Sequence, residues 1–113
     1  MKSILVPLSK NDEFKEILKG KKSNNRYCTI FFKSLLNKDK KKLNISFVAK
    51  KKLGNAVKRN KIKRKLRNIF NEATKKIKLK YDYSYLLIAK ETIMKDKYLN
   101  IKETIFKELN KIK

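Results

Sequence analysis

The chain has no histidine, no tryptophan, one cysteine, one proline and two glycines in 113 residues. Without histidine there is no Ser-His-Asp triad and no imidazole to act as general base near neutral pH. With Cys28 alone there is no intramolecular disulfide, and a Cys/His zinc cluster cannot be assembled within the chain. Cys28 reads as a small hydrophobe in a strand. Acids are scarce too. Ten Asp plus Glu stand against 33 Lys plus Arg, a formal charge of +23. Those ten acids are scattered among lysines, so no carboxylate cluster marks a nuclease that holds its own metal ions. Long apolar runs are also missing. Ile4-Leu5-Val6-Pro7-Leu8 is too short for a signal segment, and nothing is long enough to span a bilayer. The expectation is a cytoplasmic protein with no membrane partner.

What is present is a folding chain with a polyanion partner. A hydrophobic content of 41% is too high for a disordered basic tail, and 113 residues make one domain, 1–113. Self-repulsion of the size that +23 implies is tolerated when an anion neutralises it, and nucleic acid is the default partner. The charge concentrates between Lys58 and Arg67, with only Asn60, Ile62 and Leu66 interrupting the Lys and Arg. The apolar residues Ile62, Leu66, Ile69, Phe70, Ala73 and Ile77 recur at helical spacing and fill an arc of roughly 100°, the width of a core-facing stripe. No Asp or Glu occurs from Lys58 to Asn71, so the outer face has no internal ion pairs of the kind a solvated helix carries. The pattern is that of a helix with one side seated on a core and the other facing a polyanion.

The remaining elements follow in order. Ser9 is placed to cap a short helix carrying Phe14, Ile17 and Leu18, which Gly20 ends. The segment KKSNNR reads as polar loop with room for a short strand. Tyr27 to Leu35 reads as a strand with Cys28, Ile30 and Phe32 on one face and Tyr27, Thr29, Phe31 and Lys33 on the other. After a basic turn, Asn37 to Lys42, a second strand runs from Leu43 to Ala49, and the two are expected to pair as an antiparallel hairpin. Leu53-Gly54-Asn55 supplies a turn and an N-cap for the basic helix, which is expected to reach about Leu79. Tyr83 to Ala89 reads as a central strand. Asn100, with Glu103 three residues on, is expected to cap a last helix bearing Ile101, Ile105, Leu109 and Ile112. The sum is a single α+β domain: helix, β-hairpin, long basic helix, strand, helix.

The run Lys51-Lys52-Leu53-Gly54-Asn55-Ala56-Val57-Lys58-Arg59-Asn60-Lys61-Ile62-Lys63-Arg64 closely resembles the signature of the bacterial ribonuclease P protein, K-K-x-G-N-A-V-x-R-N-R-x-K-R at the start of a long helix. Lys61 stands where the family's R-N-R motif has its second Arg, keeping the charge and losing the planar bidentate fork. The order of the other elements agrees, so the resemblance covers essentially the whole chain. It implies an α+β domain with a left-handed β-α-β crossover, against the usual hand. It also implies an accessory subunit of an endoribonuclease in which a catalytic RNA, with bound Mg²⁺, removes the 5′ leader of precursor tRNA, and no side chain of the protein is catalytic.

Two surfaces follow from that resemblance. Lys51, Lys52, Asn55, Arg59, Asn60, Lys61, Lys63, Arg64 and Arg67 match the face that binds the ribonuclease P RNA. Arg and Lys would neutralise phosphates, and the two Asn could bond a sugar or a metal-bound water. Asn60 is the candidate for an indirect Mg²⁺ contact, while Asn55 is equally explained as an N-cap. The single-stranded leader would lie in a cleft between the first helix and the sheet, lined by Phe14, Leu18, Tyr27, Thr29, Phe31, Ser46, Val48 and Lys50, with Phe31 the foremost stacking platform. A generic basic RNA binder of ribosomal-protein type is the alternative, but it has no need of the G-N-A-V run beside a half-aromatic sheet face. A helix-turn-helix DNA reader would need a short helix directly before the basic one, so DNA is not an expected partner. A membrane-active helix would show a broader apolar face.

Overall fold

In the computed structural model, residues 5–6, 11–34, 43–77, 79 and 83–112 are described, with side chains from residue 15 onward. The strand Tyr83–Ala89 (β5) organises the rest: its sequence YSYLLIA is apolar enough to be covered on both faces, and it lies in the middle of a five-stranded sheet. The others are Leu5–Val6 (β1), Lys21–Asn24 (β2), Cys28–Ser34 (β3) and Leu43–Val48 (β4), in the order β1-β4-β5-β3-β2. The helices are Asn11–Leu18 (α1), Ala56–Lys76 (α2) and Tyr98–Lys111 (α3). The fold class is the one expected from the sequence, and the expected helices and strands occur in the expected order, with β1 and β2 added to them. Among the described residues no helix is long and apolar enough to cross a membrane.

The expected hairpin is corrected. The strands beginning at Cys28 and Leu43 do not pair with each other; β5 inserts between them, antiparallel to β3 and parallel to β4. Each has one apolar face and can sit at the flank, whereas β5 needs neighbours on both sides. The hairpin that does form joins β2 to β3, with Lys21 opposite Phe32 and Asn24 opposite Thr29. Its turn is set by Asn25, whose Oδ1 accepts from the backbone N–H of Tyr27 at 2.8 Å and of Cys28 at 3.0 Å. The strand β1, beside β4 at the sheet edge, was not anticipated. Parallel neighbours β4 and β5 are joined through α2, a β-α-β crossing.

The sheet separates two layers. On one side α2 and α3 lay down Ile62, Leu66, Ile69, Phe70, Ala73, Ile101, Ile105 and Leu109 on Cys28, Ile30, Phe32, Ile45, Tyr85 and Leu87. Phe70 meets Phe47 edge-on at 5.7 Å. On the other side α1 seats Ile17 on Leu86, with Phe31, Val48 and Ile88 packed around them. The turn leaving α1 is tight: a Cβ on Gly20 would lie 2.6 Å from the Phe32 carbonyl oxygen.

Helix ends depart from expectation at both termini. The basic helix stops at Lys76 rather than near Leu79, with Ile77 leaving it in an extended conformation. The proposed caps Ser9, and the turn 37–42 with Leu35, lie outside the described residues. Asn100 does not cap α3. It sits inside the first turn and donates from Nδ2 to Asp96 Oδ1 at 2.8 Å. Asp96 is the acceptor at this end: the Lys97 N–H donates to the same oxygen at 2.7 Å, and the Tyr27 hydroxyl donates to Oδ2. These three donors, Tyr27 foremost, hold the Asp96 carboxyl down from 3.8 to about 2.

A carboxyl held low in the folded state contributes stability above its ordinary value, lost as pH falls through the lowered one. Stability should therefore decline as pH falls from 3.8 towards about 2. In Tyr27→Phe this part of the acid-side decline should be shallower, as read by urea unfolding at stepped pH. Equal slopes for the two proteins would contradict the role given to Tyr27.

Candidate nucleic-acid interface

The basic face is built by the way α2 starts and seats. Lys51–Leu53 form a 3₁₀ turn whose Leu53 is buried, leaving Lys51 and Lys52 exposed. Gly54 then takes φ +138°, a region side chains avoid, where a Cβ would also press on the Lys58 side chain at 2.8 Å. Asn55 follows in extended conformation, and its Oδ1 accepts from the Lys58 N–H at 2.9 Å. It is the N-cap, one of the two readings its position allowed.

From there the buried stripe fixes where each cation goes. At about 100° per residue, Asn60, Arg64 and Arg67 fall within about 60° of one another on the side away from Ile62, Leu66 and Ile69. All three are exposed, as are Lys58 and Lys61. Lys63 and Lys65 flank the stripe half-buried; Lys65 was not singled out in the sequence. Arg59 lies one turn before Ile62 on the stripe side and is half-buried, and its Nε is buried with no hydrogen-bond partner among the described residues. No carboxylate among the described residues forms an ion pair with any Lys or Arg from 50 to 67. Described acids pair elsewhere: Glu16 with Lys33 at 2.7 Å, Glu72 with Lys102 at 3.1 Å, Glu91 with Lys95 at 3.7 Å.

The opposite face of the sheet carries the second group. Cross-strand pairing aligns Thr29 with Ile88 and Val48, and Phe31 with Leu86 and Ser46. So Thr29, Phe31, Ser46 and Val48 do share one face, all half-buried beside α1. The helix is held there by Ile17, wholly buried, and by Lys33 Nζ donating to Glu16 Oε2, a contact that keeps the Glu16 carboxyl below its usual range. Leu18 is 48% exposed on α1, and the Phe14 side chain lies outside the described residues. At the end of the face, Thr29, Lys50, Lys52, Ile88, Lys90 and Glu91 line an open pocket of about 380 Å³. Lys50 is exposed on its rim.

Tyr27 is a correction. It precedes β3 rather than starting it, is 2% exposed, and belongs to the core on the α2–α3 side with its hydroxyl on Asp96. The turn made by Asn25 rotates residue 27 out of the strand alternation, so it does not line the wall with Phe31. Lys90 and Ile88 join the pocket without having been picked out. Their signal was only that β5 runs past its apolar half into a lysine. Cys28 is buried, and burial pushes its thiol up to about 12, which leaves it inert. Among the described residues no three Asp, Glu or Cys side chains converge to hold a metal ion.

The chain is similar to known proteins along most of its length. The family model described as Ribonuclease P matches residues 5–113. A ribonuclease P protein component of Mycoplasma mycoides subsp. mycoides SC is 30% identical over 106 residues, 94% of each chain. That of Bacillus pumilus is 42% identical over 77 residues, 67% of this chain and 63% of its own. Among solved structures, the ribonuclease P protein of Thermotoga maritima superposes with a TM-score of 0.79 at 26% identity, covering 96% of this chain and 98% of its own. The Staphylococcus aureus protein gives 0.77 at 28% identity, covering 92% of each.

The cap makes a separable prediction about the basic face. Asn55→Ala should lower stability by about 1 kcal/mol, with Asn55→Asp retaining most of it, because Asp can accept the same backbone N–H. Chemical denaturation of the three proteins reads this directly. Equal loss in both variants would mean that Asn55 does not act as the cap.

Proposed function

The chain belongs to the ribonuclease P protein family, and we propose that it is the protein subunit that binds the catalytic RNA through α2 and the 5′ leader of precursor tRNA through the cleft between α1 and the sheet. Family membership makes it a component of a ribonucleoprotein endonuclease of tRNA processing with an RNA partner. The observation that carries the finer reading is the cationic face of α2, free of carboxylate partners among the described residues. A face meant for water would include acids at i,i+4 spacing. A face meant for phosphate would not, since each neutralised phosphate releases counterions and adds to affinity.

On this reading Asn60, Arg64 and Arg67 point at the RNA together, with Lys61 and Lys63 on the flanks and Lys51 and Lys52 extending the patch at the helix entrance. Arg59 borders it from the stripe side, half-buried, where its guanidinium adds positive charge beside the phosphates. Asn55 spends its oxygen on the helix and keeps its amide N–H groups for a sugar or phosphate. The leader lies on the other face, a base over Phe31, with Thr29, Ser46 and Val48 as its floor, Leu18 at the side and Lys50 on the rim. Among the described residues no cluster of acids gathers to coordinate Mg²⁺. On this reading the ions are held by the RNA and the substrate, and the exposed amide of Asn60 bonds a metal-bound water. The protein's part is to position the substrate and screen charge, and hydrolysis belongs to the RNA.

Single-turnover cleavage of a precursor tRNA by a bacterial ribonuclease P RNA at limiting Mg²⁺ tests this, with substrates carrying a long and a one-nucleotide leader. A protein-dependent gain that shrinks with the short leader is expected. An equal gain for both would remove the leader cleft from the account, and no gain would overturn the subunit role.

A further inference from the structure

The sheet face beside α1 does not end at β3. The edge strand β2 pairs with it in register, placing Lys22 opposite Phe31 and Asn24 opposite Thr29. Directly opposed residues of antiparallel strands project on the same side, with Cβ atoms about 4.5–5.5 Å apart. Two contacts confirm the side. Ser23, between them, turns the other way and donates to Glu108 of α3, while Thr29 Oγ1 donates to Asn24 Oδ1 at 2.7 Å across the near face. Both Lys22 and Asn24 are exposed, and no acid among the described residues pairs with Lys22.

We propose that β2 extends the leader cleft by one strand, with Lys22 holding the phosphate of the nucleotide whose base rests on Phe31 and Asn24 reading the edge of a neighbouring base. The proposal rests on the leader-cleft reading above. The chemistry follows from the side chains. A lysine beside an aromatic platform supplies the cation that a stacked nucleotide's backbone needs. Asn24 has its oxygen occupied by the Thr29 hydroxyl, so it faces the cleft as an amide N–H donor. Thr29 keeps acceptor capacity beside it. A donor fixed in this way favours a base with an acceptor on its open edge over one presenting an amino group. An isolated cation on an edge strand would be explained by protection against strand pairing. That explanation gives no reason for an amide oriented by Thr29 one row away.

The test uses the full chain assembled with a ribonuclease P RNA, measuring precursor tRNA affinity for long and one-nucleotide leaders with wild type, Lys22→Ala, Lys22→Arg, Asn24→Ala and Phe31→Ala. Lys22→Ala should weaken long-leader binding several-fold and flatten the log–log salt dependence by about 0.7, the share of one phosphate on a single strand. Lys22→Arg should restore both, and the loss should vanish with the short leader. Across substrates differing at single leader bases, wild type should discriminate by about fivefold or more at one position, and Asn24→Ala should lose that preference. If Lys22→Ala and Asn24→Ala match wild type while Phe31→Ala loses leader-dependent affinity, the β2 extension is overturned and the cleft stands. If Phe31→Ala also matches wild type, the cleft reading falls and the extension with it.

Discussion

The seating of one apolar stripe holds both the fold and its surface chemistry together. Ile62, Leu66, Ile69 and Phe70 are buried to 4% exposure or less on the sheet. Burying a large aliphatic or aromatic side chain contributes roughly 1.5–3 kcal/mol, an upper bound because denatured chains already bury some apolar surface. Against this, like charges at i,i+3 and i,i+4 on the outer side cost about 0.2–0.5 kcal/mol per pair. Four such anchors outweigh several repulsive pairs, so the helix forms with its cations unpaired. Had the stripe been narrower, the helix would have needed acids on its outer face to persist, and the cationic surface would have been diluted.

Seating the stripe also divides the molecule by function. The α2–α3 side of the sheet is filled, so α2 can present only its outward face. Among the described residues the other side is covered only in part, with the short α1 meeting the sheet through Ile17. What α1 leaves open is a row of half-buried residues with an aromatic among them and lysines at the end. One basic surface and one mixed aromatic cleft thus lie on opposite layers of a small domain. That arrangement suits the proposed role, in which two different RNAs are held at once.

Much of this was legible because it depends on local periodicity. The stripe of α2, the apolar strand Tyr83–Ala89 and the position of Asn55 are all written in residues a few places apart. Strand adjacency is not. Cys28–Ser34 and Leu43–Val48 look like hairpin partners when read alone, and only the need of β5 for two neighbours separates them. Tyr27 was misplaced for a similar reason: an alternation extended one residue too far ran into the turn that Asn25 imposes. β2 was half visible, since KKSN has little strand propensity and owes its pairing to that same turn. The residues proposed to widen the cleft therefore came from register, and those on α2 from periodicity. The family signature nominated the residues of the α2 face from motif alone, whereas the depth of Arg59 and the cap of Asn55 emerged only with the helix in place.

That opposite layers hold different RNAs is the central claim, and the buried, unreactive Cys28 makes it directly measurable. A hydroxyl-radical source can be tethered to a single introduced cysteine, at Lys61→Cys on α2 or at Leu18→Cys on α1, without competition from Cys28. In the assembled complex with precursor tRNA, the α2 probe should cut the catalytic RNA and the α1 probe the 5′ leader. Cleavage of the same RNA from both positions, or of the leader from α2 alone, would contradict the account.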